Sequence, residues 1–247
     1  IVPEPLGVAL IIGPWNFPIL LTLDPLVAAI AAGNAAALKL SEVSPATSAL
    51  MASLLPQYLD NSAIGVVTGG PDASIALLEQ RWDKIFYTGN PVVGRYVMAA
   101  AAKHLTPVTL ELGGKCATLI DSSADVVLAA RRIASGKWAM NAGQTCIAPD
   151  YVLVERKVSA AFVEALKKSL LDFGFDADGA EFELPHIINK AHLGRLISMR
   201  DEALGGGATQ VTWRQKSGNG AGTDIGTNVN VVPELFMEPT ILLNPPF

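Results

Sequence analysis

Between Gly7 and Gly13 the chain reads Val-Ala-Leu-Ile-Ile, five apolar residues with no polar interruption. A strand with one wet face alternates apolar and polar residues, so an unbroken run of this length predicts a strand covered on both faces. Such a strand needs helices above and below its sheet, and the following residues carry the signals for them. Asp24-Pro25 offers an N-cap with proline at the first helical position, and Gly33-Asn34 offers a stop. Residues 35–40 read as the next strand, Ser44-Pro45 opens a helix to about residue 59, and 65–68 is strand again. Strand over 84–87, helix over 92–104 and strand over 108–112 continue the rhythm. Strand–helix–strand units in series predict an α/β fold with a parallel sheet and helices on both faces. Ligands of such sheets sit beyond the carboxyl ends of the strands.

After Gly113-Gly114 the pattern restarts: strand over 116–120, helix over 124–138, a loop through Cys146, strand over 151–155, and helices over 159–171 and 189–204. Residues 215–230 are rich in Gly, Asn and Thr and read as a loop. The restart places a domain boundary near Gly113, giving domains over 1–112 and 113–247, and no internal repeat is found.

Bulk properties exclude several classes of function. The chain has 247 residues, half of them hydrophobic, enough for one large domain or two small ones. With 17% charged residues, a net charge of −5 and no basic block, it offers no nucleic-acid surface. Cys116 and Cys146 are the only cysteines, too few for a disulfide framework, which fits a reducing compartment and predicts a cytoplasmic location. The most apolar region, 18–40, is interrupted by Asp24, Gly33, Asn34 and Lys39, so no membrane contact is expected from it. The chain starts at Ile1 without a signal peptide and stops at Pro245-Pro246-Phe247, so both ends read as cut.

The residues that can carry chemistry fall at strand ends or in loops. Gly143-Gln144-Thr145-Cys146 sets a thiol among residue types suited to a tight loop. A free thiol with a pKa near ~8.5 is only about 3% thiolate at neutral pH, so a catalytic one needs help from backbone N–H groups or a helix N-terminus. The alternative is a buried structural cysteine, and Cys116, read as mid-strand, is given that role. Glu111 lies in Thr109-Leu110-Glu111-Leu112, where apolar neighbours would desolvate it and raise its pKa into the range of a general base. The alternative is a salt bridge to Lys115 or Lys137.

Gly13-Pro14-Trp15-Asn16-Phe17-Pro18 follows the first strand; its prolines stiffen the turn and Asn16 offers an amide donor of the kind a developing oxyanion requires. Asn16 could equally cap its own turn. Lys39 and Glu42 stand at the end of the second strand, where an acid can accept from ribose hydroxyls or form a solvated charge pair. Tyr87-Thr88-Gly89-Asn90-Pro91-Val92-Val93-Gly94 leads from strand into helix, a place that favours phosphate, although it is not the Gly-x-Gly-x-x-Gly fingerprint. His104, His186 and His192 lie far from Cys146 in sequence, and no Gly-x-Ser-x-Gly elbow, zinc-type Cys/His spacing or Walker loop occurs.

Taken together and in this order, these strings resemble the aldehyde dehydrogenase superfamily from about residue 5 to 243. They are most similar to its class 3 branch, which handles fatty and aromatic aldehydes. Tyr87-Thr-Gly-Asn90, residues 101–115, Arg131-Arg-Ile133, Ile187-Ile-Asn-Lys190 and Glu238-Pro-Thr-Ile-Leu242 carry the class 3 likeness. The resemblance implies a Rossmann-like cofactor domain followed by a catalytic α/β domain. It implies that Cys146 attacks an aldehyde carbonyl to give a thiohemiacetal. The Asn16 side chain and the Cys146 main-chain N–H would hold the oxyanion. After hydride loss to nicotinamide leaves a thioester, Glu111 would activate water to release the acid. Lys39 and Glu42 would contact the adenosine ribose and Gly89, Asn90 and Gly94 the pyrophosphate, with Trp15 and Leu112 also against the cofactor. The expected cofactor is NAD, with NADP possible, since Glu42 would repel a 2′-phosphate; no metal is expected. Full-length members would form homodimers.

There are departures. The family usually has proline where Leu40 stands, and 216–233 is longer than expected. The family's later Glu-Glu-Ile-Phe-Gly-Pro motif, whose glutamate orients the nicotinamide ribose, does not occur in this sequence. Two other readings therefore stand beside the dehydrogenase. One is a non-catalytic nucleotide-binding remnant acting with a full-length partner; the other is a cysteine acyl-transferase or esterase that needs no hydride transfer.

Overall fold

The computed structural model describes residues 4–175, 184–213 and 235–246. The chain divides into two compact units, residues 1–114 and 115–247.

The first unit is a five-stranded parallel sheet. Its strands are β1 (Val8–Ile12), β2 (Ala35–Lys39), β3 (Ile64–Val67), β4 (Lys84–Gly89) and β5 (Val108–Leu112), in the spatial order β3-β2-β1-β4-β5. The helices between them are α1 (Leu20–Ala31), α2 (Pro45–Tyr58), α3 (Pro71–Leu78) and α4 (Pro91–Ala102). The unbroken apolar run of β1 has a direct structural cause. Ile11 packs with Leu26 of α1, Leu38 of β2 and Met51 of α2 in one cluster. Leu10 and Ile12, one residue to either side, pack with Leu78 of α3, Ile85 of β4 and Val97 of α4 in another. Successive side chains point to opposite faces, so a central strand has no polar side.

Leu38 is fully buried. Leu38→Ala is therefore expected to cost about 2–5 kcal/mol in urea unfolding of the chain, from lost transfer energy plus the cavity. A cost below about 1 kcal/mol would show that this layer collapses around the gap.

Two differences from the sequence reading in this unit have physical reasons. Helix α1 begins a full turn before Asp24-Pro25, which lie inside it. The main-chain N–H groups of Leu21 and Leu23 donate to the carbonyls of Phe17 and Ile19, so the chain is already helical when it reaches the proline. The stop at Gly33 is as expected. Gly33 has φ +79°, its N–H donates to Ile30 O, and Asn34 N–H donates to Ala29 O, the paired bonds of a Schellman ending. Helix α3 has no counterpart in the reading. It is only eight residues long, and Pro71 at its start is its one strong signal.

The second unit pairs β6 (Cys116–Ile120) in parallel with β7 (Pro149–Val154). Helices α5 (Val126–Ala134) and α6 (Arg156–Asp172) pack together around Ile133, Phe162, Leu166 and Leu170. Helix α7 (Lys190–Gly205) follows, and the short strands β8 (Thr209–Gln210) and β9 (Leu242–Leu243) pair antiparallel. Helix α5 is shorter than the expected 124–138 because a single π-turn, Ser135–Ala139, takes over from it. The glycine-rich stretch 215–230 and the long segment 216–233 lie outside the described residues. No described helix is long and apolar enough to cross a membrane.

Candidate active site

In the first unit, the switch in strand order falls between β1 and β4, and the sequence motifs follow the carboxyl ends of β1, β2 and β4. At the end of β1, Gly13 N–H donates to Lys39 O (3.0 Å), continuing the ladder past the last strand residue. A side chain at Gly13 would run into the Thr22 hydroxyl, so α1 approaches this turn only because residue 13 is glycine. Trp15 and Asn16 are half-buried in the turn that follows, and Asn16 lines a cleft of about 280 Å³ with Phe17, Pro18 and Thr47.

At the end of β2, the Lys39 ammonium is buried and donates to Leu40 O (2.8 Å) and Glu42 Oε2 (2.9 Å). The charge pair is formed, but only its acid is solvated: the side chains are 3% and 44% exposed. Burial pushes the Glu42 carboxyl up; the Lys39 hydrogen bond, a main-chain hydrogen bond and the Lys39 charge outweigh it, and the carboxyl is held below its ordinary value. Glu42, Ser41, Pro45, Ser48 and Thr68 line a cleft of about 350 Å³.

A carboxyl lowered in the folded state stabilises the fold above its unfolded pKa, near ~4.3, and that contribution is lost as pH falls through the folded value. With Glu42 partly exposed, Glu42→Gln is expected to cost under about 1 kcal/mol at neutral pH. The difference from wild type should vanish in acid. Urea midpoints of the two proteins across the carboxylate range measure it, and a gap that widens in acid would contradict the assigned pairing.

At the end of β4, Asn90 caps α4: its Oδ1 accepts from Val93 N–H (2.9 Å), and Pro91 occupies the first turn. The Tyr87 hydroxyl donates to Asn90 O (3.1 Å), and burial raises its pKa. Gly89 packs so closely on the Tyr87 hydroxyl that no side chain fits there. Gly94 is buried, and a Cβ on it would lie 3.3 Å from Leu112 Cδ2, so it sets how closely α4 sits on β5.

Glu111 corrects the sequence reading. It is exposed, not buried among its apolar neighbours. Strand alternation explains it: Val108, Leu110 and Leu112 turn toward the α3–α4 cluster, while Glu111 lies on the other face of an edge strand. Lys115, one of its suggested salt-bridge partners, instead pairs with Asp150 (3.2 Å).

In the second unit, Cys146 is a free, exposed thiol in the loop before β7, which overturns the buried structural alternative. The loop is tightly built. The π-turn ends with Met140 N–H on Ser135 O, and Asn141, Ala142 and Gly143 then take φ values of 52°, 50° and 78°. Left-handed backbone at two non-glycine residues is a local strain that the surroundings must hold. At Gly143 any Cβ would press on the Lys137 main-chain oxygen at 3.2 Å. Lys137 is itself partly buried; burial lowers its pKa and Lys115 adds to that, while Asp150 and Cys116 oppose it. Cys116 is the first residue of β6, not mid-strand, and its thiol donates to Cys146 O (3.2 Å).

The side chain of Gln144 joins the loop to a distant segment. Its Nε2 donates to Asn141 O (3.1 Å) and His186 O (3.0 Å), and its Oε1 accepts from Ile188 N–H (2.9 Å). Local sequence carries no sign of this, because the partners lie more than 40 residues away. Among the described residues, no group of three or more His, Cys, Asp or Glu side chains could hold a metal.

A parallel sheet whose strand order switches between β1 and β4 is an α/β fold that places its ligand sites beyond the carboxyl ends of the strands. Residues 1–246 match the model of the Aldehyde dehydrogenase family, and the chain belongs to that family. It is 44% identical over 249 residues to aldehyde dehydrogenase family 3 member F1 of Arabidopsis thaliana, covering 100% of this chain and 48% of that protein. It is 54% identical over 197 residues to aldehyde dehydrogenase family 3 member A2 of Mus musculus, covering 80% of this chain and 40% of the relative. Its fold is similar to betaine aldehyde dehydrogenase of Staphylococcus aureus in complex with NAD+, with a TM-score of 0.80 at 28% identity, over 98% of this chain and 47% of that one. The chain thus spans less than half the length of each.

Proposed function

We propose that the protein to which this chain belongs oxidises an aldehyde to a carboxylic acid with NAD(P), through a thioester on Cys146. The observation that carries this reading is an exposed thiol on a strained, well-held loop, in a chain of the aldehyde dehydrogenase family. Cys146 is assigned the attack on the carbonyl carbon; its sulfur forms the new C–S bond, and the Asn16 amide and the Cys146 N–H receive the oxyanion. Glu111 is assigned the water that later cleaves the thioester, taking a proton from it and so needing contact with solvent, which its exposure supplies.

The first unit fits a dinucleotide. The Glu42 carboxylate, steadied by the buried Lys39, stands at the rim of an open cleft where it can accept from ribose hydroxyls. Gly89 and Asn90, at the positive end of the α4 dipole, are assigned to the pyrophosphate, while Gly94 acts from beneath by packing. Trp15 and Leu112 are assigned to the same ligand's surroundings. NAD, when bound, supplies the acceptor for the hydride that the substrate carbon gives up. Charge at Glu42 favours NAD over NADP, whose 2′-phosphate it would repel.

The test is product formation by the chain with NAD and a medium-chain or aromatic aldehyde. Steady NADH formation that requires both supports the reading. Acyl transfer from an activated ester without any NADH would instead favour a cysteine acyl-transferase.

A further inference from the structure

The Gln144 side chain behaves as a one-residue strand. Residue 187 has the carbonyl of 186 and the N–H of 188 on the same side, and a primary amide offers one donor and one acceptor at matching spacing. The segment it grips is fixed in turn: Ile187 is 2% exposed, and its N–H donates to Leu235 O (2.8 Å). On the other side the same amide holds Asn141 O, inside the left-handed turn, and the Asn141 amide donates to Gln144 O (3.3 Å). The cysteine loop is thus tied to the core at a point two residues before the thiol.

We infer that Gln144 is the positioning residue of the Cys146 loop, an assignment that rests on the nucleophile reading of Cys146. The amide fixes where the loop turns, and so holds the Thr145–Cys146 peptide, whose N–H receives the oxyanion, in a set direction relative to Sγ. Glutamine is required by both length and chemistry. Asparagine is too short to reach residues 186 and 188, glutamate has no donor for two carbonyls, and methionine has the length without either bond.

The experiment compares wild type, Gln144→Met and Gln144→Glu in the full chain, with three readouts. Acylation of Cys146 by 4-nitrophenyl acetate, located by peptide mapping, needs the oxyanion held. Alkylation of Cys146 by iodoacetamide needs only an accessible thiolate. Hydrogen exchange of the Ile188 amide reports the bond itself. In Gln144→Met, acylation should fall by between about tenfold and a hundredfold, as misplacement of a reacting geometry by about 1 Å allows. Alkylation should change far less, by no more than about threefold, and the Ile188 amide should exchange faster. Gln144→Glu keeps the acceptor for Ile188 and loses the donor. It should protect Ile188 while slowing acylation, and it carries the test if the methionine variant does not fold. A merely structural role would move acylation and alkylation together, and that result overturns the assignment. So does unchanged acylation with Ile188 deprotected. A wild-type Cys146 that takes no acyl group overturns the nucleophile reading and this assignment with it, and is told apart because it appears before any substitution.

Discussion

Cys146→Ala is expected to abolish aldehyde-dependent NADH formation, lowering turnover by at least about 10⁴-fold. The other thiol, Cys116, is engaged with the Cys146 main chain and stands at the start of β6. The fold should be indifferent to the change. An exposed loop side chain leaves no cavity when shortened, so unfolding free energies of the two proteins should agree within about 0.5 kcal/mol. The left-handed turn at 141–143 and the Gln144 bonds do not involve the Cys146 sulfur. Loss of turnover with an unchanged urea midpoint and unchanged NAD affinity would assign the chemistry to the thiol. If the variant retains turnover, the proposed reaction is wrong.

Glu111→Gln should separate the two halves of that reaction. The amide keeps the size of the carboxylate but cannot take a proton from water. Thioester formation should proceed and its hydrolysis should slow by about 10²–10⁴-fold. The signature is a burst of about one NADH per chain followed by a slow phase, with acylated Cys146 detectable by mass. Because Glu111 is exposed on an edge strand, stability should again change little. Equal slowing of burst and steady phase would place Glu111 in the first step instead.

How far the architecture could be read without coordinates depended on the range of the forces involved. Strands β5 and β6 match their expected bounds residue for residue, and the stop at Gly33 is where glycine and asparagine placed it. These are local effects: apolar runs, positive φ and proline at helix starts. The early start of α1 came from carbonyls at residues 17 and 19 accepting across a proline-rich turn, which weighed more than the Asp-Pro signal. Glu111 was misjudged because burial was inferred from its sequence neighbours, while alternation sends those neighbours to the opposite face. Gln144 was read only as part of a loop motif, since its clamp depends on a segment more than 40 residues away. The loop position of Cys146 and the strand-end position of Glu42 were legible because strand ends and loops are set by local signals. Their surroundings, such as the buried lysine under Glu42, were not.

The sheet order has one more consequence, for the chain as it is made. β1 leaves the ribosome before the other four strands of its sheet yet ends in the middle, paired with β2 on one side and β4 on the other. Three helices and two strands separate it from that second neighbour. Until β4 emerges, one edge of the most apolar strand has no partner, and Leu10 and Ile12 lack half of their cover. Nascent chains stalled just after β3 should therefore bind chaperones and aggregate, and chains released beyond β5 should not.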